Sequence, residues 1–280
     1  MNESFHNITA YKFVTIEDPQ ALKEQWLPHC REIGLIGTIL LAHEGINLFL
    51  AGDEDATAKF RSLVEGDPRF ADLEFKESWS EQRPFNRMLI KVKKEIISMG
   101  VPEINPAKHE PKYIEAQDLK RWYEEGKKFR ILDTRNDYEI RIGTFKNAEH
   151  LDLETFRAFP EAARSIPEEQ KTEPMVTFCT GGIRCAKAAP LLESYGFEEV
   201  YELKGGVLKY FEECGDAFWD GECFVFDHRV AVDGKLTETD TVVCYRCRSP
   251  LTPEEVAKGP YAVDEYCPYC VDKHGTQAAS

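Results

Sequence analysis

Residues 176–185, Val-Thr-Phe-Cys-Thr-Gly-Gly-Ile-Arg-Cys, constrain the fold more than any other stretch. A short apolar run that reads as a buried strand ends on Cys179. Gly181, Gly182 and Arg184 follow, and Cys185-Ala186-Lys187-Ala188-Ala189 opens a helix-forming segment. A strand, a tight glycine-bearing turn and a helix start make an anion cradle, because amide groups and the helix dipole converge on one point. The amides of Thr180, Gly181, Gly182, Ile183, Arg184 and Cys185 can all point at whatever sits on the Cys179 sulfur. The dipole and Arg184 both favour a thiolate, the nucleophilic form of cysteine. The plainer alternative is a packed strand-end cysteine beside glycines that only shape a turn. The convergence of Cys179, two glycines and Arg184 within six residues favours the cradle.

The segments around this loop alternate between strand and helix. Residues 117–125 read as a short helix and 129–133 as a buried strand ending in Asp133-Thr134-Arg135. Residues 150–153 read as a short strand and 160–165 as helical. Residues 175–178 form the central strand, 186–195 a helix, 200–203 a strand and 207–213 a helix. Such alternation implies a parallel sheet with helices on both faces. Ligands of such sheets bind at the carboxyl ends of the strands, where Cys179 lies. This α/β unit is expected over residues 112–219.

Residues 1–99 read as a separate α+β unit. Strands are expected at 11–16, 37–42, 45–50, 73–79 and 88–92. Helices are expected from Asp18-Pro19, interrupted near Pro28, and over 53–64. The order β-α-β-β-α-β is the ferredoxin-like arrangement. His43-Glu44-Gly45 sits in the hairpin link, where a functional pair and a turn-shaping role are both open. Arg83, Arg87, Lys91, Lys93 and Lys94 make residues 83–94 the most basic stretch. Lys91 and Lys93 share one strand face, a candidate phosphate ridge with Phe85 nearby, though a merely solvated face is the competing reading. Residues 100–111, with three prolines and a glycine, read as a linker.

The tail, 220–280, carries Cys244-x-x-Cys247 and Cys267-x-x-Cys270 with nineteen residues between them. Two such knuckles match a four-thiolate, structural Zn2+ site. The tail has few apolar residues, so a metal would supply what a core does not. The alternative is unoccupied or redox-paired knuckles. The N-terminus lacks the regions of a secretion signal, so the cytoplasm is the expected compartment. Nine cysteines then read as catalytic or metal-binding rather than disulfide-forming. No apolar run has the length of a membrane span. A net charge of -15 argues against a dedicated non-specific nucleic-acid binder but leaves room for a local basic surface. Nothing in the sequence specifies an oligomeric state.

Residues 112–219 resemble the rhodanese domain. The matching pieces are Leu132-Asp133-Thr134-Arg135 with Glu139 and Gly143, the Cys179–Arg184 loop, and Leu203-Lys204-Gly205-Gly206. In that family the cysteine carries a persulfide held by loop amides and the arginine. The loop from Cys179 to Arg184 has six residues, the length sized for sulfur; the related phosphatases have one more. The family's Gly-His-Ile is replaced by Gly143-Thr144-Phe145. The whole chain resembles a narrower group, the bacterial tRNA uridine hydroxylase family, through residues 41–47, Pro84-Phe85, 91–96 and 179–185.

That resemblance implies oxygen-dependent hydroxylation at carbon 5 of the wobble uridine, with molecular oxygen as co-substrate, the tRNA anticodon region as partner and Cys179 as the active-site cysteine. It assigns Arg184 to the sulfur anion, Asp133 and Arg135 to support, and the basic stretch to the anticodon arm. No organic cofactor is recognised: nothing resembles a flavin site, a haem site or a facial iron triad. Attack of the Cys179 sulfur at carbon 6 of the ring is one route to an electron-rich carbon 5. A thiosulfate-type sulfurtransferase and a non-enzymatic persulfide carrier are the alternatives. Cys185 is either a resolving thiol or simply packed.

Overall fold

The computed structural model of the chain describes residues 4–274. Two compact units divide between Glu110 and Pro111.

The first unit is a five-stranded sheet built from β1 (Phe5–Phe13), β2 (Ile36–Ala42), β3 (Gly45–Gly52), β4 (Lys76–Ser80) and β5 (Met88–Val92), in the order β4-β1-β3-β2-β5. Helices α1 (Pro19–Glu32) and α2 (Glu54–Glu65) cover one face. Asp18 and Asp53 cap these helices, each accepting a backbone N–H three residues on. Ile8, Ala10, Leu48 and Leu50 alternate toward Trp26, Phe60 and Phe70, which meet edge-on. The ferredoxin-like order is complete at β4. The expected fifth strand is an addition, pairing in parallel with β2 at the sheet edge. Two further expectations change. β1 starts at Phe5 rather than Tyr11, and α1 runs through Pro28 without a break.

The second unit is organised on a parallel sheet of β6 (Tyr113–Ile114), β7 (Arg130–Asp133), β9 (Met175–Phe178) and β10 (Val200–Leu203), in the order β6-β10-β9-β7. Its helices are α3 (Ala116–Glu124), α4 (Asp137–Ile140), α5 (Phe159–Arg164), α6 (Cys185–Ser194) and α7 (Gly206–Cys214). All four residues of β7 and of β9 are buried, as strands covered on both faces require. A side ribbon joins β8 (Gly143–Phe145) to β11 (Trp219–Gly221), and Phe145 meets Trp219 and Tyr210 edge-on. The expected strand at 150–153 is absent. Only Glu149 bridges to Leu132, and Asp152 turns the chain at φ 51°.

The segment after β11 packs on this sheet unit. The Glu222 amide donates to the Ile142 carbonyl at 2.8 Å, and Arg141 of the α4 end donates to the Pro250 carbonyl and lies 3.5 Å from the Tyr269 ring centre; within the segment, Thr239 and Thr241 donate to Glu222. Among the described residues, no helix is long and apolar enough to cross a membrane.

Candidate active site at Cys179

Three loops meet at the carboxyl ends of β7, β9 and β10. The β9 loop begins with Cys179, whose side chain is wholly buried. Gly182 turns the loop at φ 100°, a conformation that suits glycine, and its N–H donates to Cys179 Sγ at 3.0 Å. The loop runs into α6, with Arg184 at the N-cap position and Cys185 as the first helical residue.

The β10 loop holds this cradle from behind. The first amides of α7 donate to its carbonyls, Val207 to Cys179 at 3.0 Å and Leu208 to Thr180 at 3.1 Å. Those carbonyls are thus drawn away from the sulfur, which leaves amides on the sulfur side. Gly206, at φ 69°, sits so close that a Cβ would lie 2.5 Å from the Cys179 carbonyl oxygen and 2.8 Å from the Gly182 nitrogen. Gly206 is therefore a packing requirement of the cysteine loop.

Electrostatics at the sulfur oppose one another. Burial alone would raise the Cys179 thiol. The Cys185 thiol as donor, the Arg184 charge, and the Arg184 and Gly182 amides outweigh it and hold Cys179 well below the ordinary cysteine range. Cys185 moves the other way, since burial and its donation to Cys179 keep its proton on. Thr134 Oγ1 lies 3.7 Å from Cys185 Sγ and donates to the Phe178 carbonyl.

Arg184 does not float over the sulfur. Its guanidinium forms a two-pronged pair with Glu139 of α4, at 2.5 and 2.7 Å, with both residues buried. Thr180 Oγ1 also approaches Glu139, at 3.5 Å. Asp133 and Arg135 pair with each other at 2.7 Å, both fully buried. Arg135 donates to the Gly143 carbonyl and Thr144 donates to Asp133, at 2.6 and 2.8 Å. These two residues brace the β7 loop against β8, and Thr144 completes the brace.

Glu202 of β10 has no counterpart in the sequence reading. It is 2% exposed, and its Oε1 finds no hydrogen-bond partner among the described residues. Burial first, then the Cys179 charge and Glu193, push its carboxyl from 4.5 to about 8. The folded state therefore holds a proton that the unfolded chain releases near 4.5. Its contribution to stability is intact below that value and lost as pH rises through about 8. The full loss has a ceiling on the order of 5 kcal/mol. Glu202→Gln should remove this decline. Its melting temperature relative to wild type should climb by several degrees between pH 6 and pH 9, read by thermal denaturation across that range. A constant difference would contradict the assignment.

The four knuckle cysteines come together. Cys244 and Cys247 lie at the turn of a hairpin formed by Val242–Val243 and Pro250–Leu251, facing Cys267 and Cys270. Their sulfurs all lie within 4.8 Å of one another, with separations of 3.5 Å for Cys247–Cys267, 3.7 Å for Cys267–Cys270 and 4.0 Å for Cys244–Cys270. Tetrahedral thiolates around Zn2+ stand about 3.8 Å apart. The Cys267 amide already donates to Cys270 Sγ. The donor set fits one metal ion.

In the first unit, Arg83, Arg87, Lys91, Lys93 and Lys94 are all exposed, on and beside β5. Lys91 faces the same way as Leu40 in the parallel register. His43 and Glu44 have structural contacts: His43 Nδ1 donates to the Ile16 carbonyl at 2.9 Å, and Glu44 accepts from the Ile96 amide at 2.7 Å.

A profile described as "UPF0176 acylphosphatase like domain" matches residues 5–96, and one described as "Rhodanese-like domain" matches 115–213. A Cupriavidus metallidurans protein named tRNA uridine(34) hydroxylase is 46% identical over 98% of this chain and 99% of its own length. One of the same name from Cupriavidus taiwanensis is 45% identical over the same shares. Among solved structures, a rhodanese-like domain from Anabaena sp. is 29% identical, covering 40% of this chain and 80% of that one at a TM-score of 0.33. With two such domains in this order and this identity along nearly its whole length, the chain belongs to the tRNA uridine(34) hydroxylase family.

Proposed function

We propose that this protein is a tRNA-modifying oxidoreductase that hydroxylates carbon 5 of uridine 34, with molecular oxygen as co-substrate. Cys179 acts as the sulfur nucleophile or carries a persulfide whose outer sulfur the loop amides hold. The observation that carries the reading is the buried Cys179 sulfur in its loop ahead of α6, accepting from the Gly182 N–H at 3.0 Å, in a chain 45% identical to relatives named tRNA uridine(34) hydroxylase. Arg184, pinned by Glu139, contributes positive charge without moving. Asp133 and Arg135 keep the neighbouring loop in place. The exposed Arg83, Arg87, Lys91, Lys93 and Lys94 give an acidic chain a local surface for the phosphates of the anticodon arm. The four tail cysteines hold a structural Zn2+. The cytoplasm, where tRNA is found, is the working compartment.

The loop length also suits a sulfurtransferase, and one comparison separates the two. Purified protein, air, a dithiol reductant to supply two electrons and a tRNA transcript with an unmodified uridine 34 should yield a nucleoside heavier by one oxygen atom, the second atom of O2 leaving as water. Thiosulfate:cyanide turnover that is robust and indifferent to tRNA, with no such product, would overturn the hydroxylase reading.

A further inference from the structure

Beside the cysteine loop lies a cavity of about 330 Å3 that none of the motifs above accounts for. Its walls are aromatic. Phe224 meets Tyr138 edge-on at 5.3 Å and Phe226 at 5.2 Å, so the three rings form one aromatic cluster in the wall. Arg248 and Ser249 bring a cation and a hydroxyl to the same cavity. The walls are tied to the reacting centre. Tyr138 is the neighbour of Glu139, Thr180 Oγ1 donates to the Phe224 carbonyl at 3.4 Å, and the Arg184 guanidinium lies 5.8 Å from the Phe226 ring centre.

The wall that carries Phe226 is a stiff turn. The Val225 amide donates to the Val230 carbonyl at 2.8 Å, and the Val230 amide to Asp227 at 3.1 Å. Arg229 clamps Asp227 with its side chain and its own amide. Val230 is held at φ 62°, a conformation that β-branched residues rarely adopt. Phe226 is nevertheless 46% exposed at this turn. Between the Phe224 ring and the Arg184 guanidinium, this hydrogen-bonded turn presents a half-exposed aromatic ring to the cavity.

We infer that this cavity is a nucleobase pocket, which takes one unstacked base of the single-stranded loop of the tRNA. This rests on the hydroxylase reading above and adds the place where the base is held. Flat rings are bound by stacking on aromatic side chains, while polar groups at the edge read the base or its phosphate. Enzymes that act on a base first take it out of the stack into such a pocket. The cavity lies at the small end of the ~300–1000 Å3 range of ligand sites, the size of one mononucleotide. Cys247 lies in its lining, so the metal-binding knuckle also shapes the wall.

The test uses the full-length protein and an anticodon stem-loop with photoreactive 5-bromouridine placed at position 34, at the preceding position or at the following one. Crosslinked peptides are mapped by mass spectrometry. Capture at Tyr138 or within residues 224–249 is expected from at least one placement. Capture from position 34 identifies the occupant as the reacting base, and capture from a flanking position identifies a neighbour. Phe226→Ala should reduce that crosslink and raise the stem-loop Kd about tenfold, within the range for loss of one base stack. Phe226→Tyr should restore both, and circular dichroism reports on folding. Crosslinks that all map elsewhere, from protein that still binds these stem-loops and hydroxylates the unsubstituted one, would overturn the pocket and leave the hydroxylase reading standing. Wild-type protein that neither binds nor modifies the stem-loop would overturn both.

Discussion

Cys179→Ala should lower 5-hydroxyuridine formation by at least about a thousandfold, the scale on which enzymes lose rate when their nucleophile is removed. The loss should fall on kcat rather than on the Kd for tRNA, because Cys179 is buried at the base of the cradle and the basic residues of the first unit are untouched. The same variant reports the state of the sulfur. Wild type minus Cys179→Ala should show thiolate absorbance near 240 nm at neutral pH. That signal should persist as pH falls below the ordinary cysteine range, since Arg184, the Cys185 thiol and the loop amides outweigh burial. The sign for stability follows: the thiolate's contribution is present above the unfolded cysteine pKa and lost as pH falls through the lowered folded value. Absorbance is the suitable readout because it reports the ionisation of the sulfur directly. A difference signal that appears only above about pH 8.5 would contradict the low pKa.

The second large effect is on stability. Glu139→Ala leaves the Arg184 guanidinium buried without its partner, and removing one member of a buried pair costs about 3–5 kcal/mol. For a unit of this size that corresponds to a fall in melting temperature of about 10 °C. Glu139 also accepts from the Asn136 amide in the α4 capping box, so the first turn of α4 loosens as well. Replacing both partners, Glu139→Met with Arg184→Met, should cost less than Glu139→Ala alone, because no guanidinium is then stranded and Cys179, deprived of the Arg184 charge, is pushed up toward its protonated form. A double variant less stable than the single one would show that the pair contributes net stability beyond its own desolvation. Thermal denaturation of the three proteins decides it.

The parts of the site that a reader of the sequence can find are those made within a few consecutive residues. Cys179 to Cys185 is one strand end, one turn and one helix start, and its chemistry depends on that local order. The two Cys-x-x-Cys knuckles are legible for the same reason, since metal-ligand spacing is local even when the halves meet at a distance. Glu139 was visible only through resemblance: it pairs with a residue 45 positions away, and no periodicity announces that. Glu202 carried a signal that could have been used. A glutamate inside Val-Tyr-Glu-Leu is anomalous if the strand is covered on both faces, and β10 does lie between β6 and β9.

Tyr138, Phe224 and Phe226 look like ordinary core aromatics in a linear reading. The cavity exists only because the segment after β11 folds back over the α4 end. The misread strand at 150–153 has a related cause. Leu151 and Leu153 alternate as a strand should, but pairing with β7 stops at Glu149 and Asp152 takes a left-handed turn. β5 reads as a strand from its own residues, while its place as an extra edge beside β2 depends on tertiary pairing that those residues do not encode.

The most direct measurement is nucleoside mass spectrometry of tRNA from cells that lack this gene and have no second route to the product, complemented with the wild-type chain or with Cys179→Ala. Wild type should restore 5-hydroxyuridine-type nucleosides at position 34, and the variant, present at equal level, should leave unmodified uridine there. Undiminished 5-hydroxyuridine in the uncomplemented deletion strain, or full restoration by Cys179→Ala, would contradict the account.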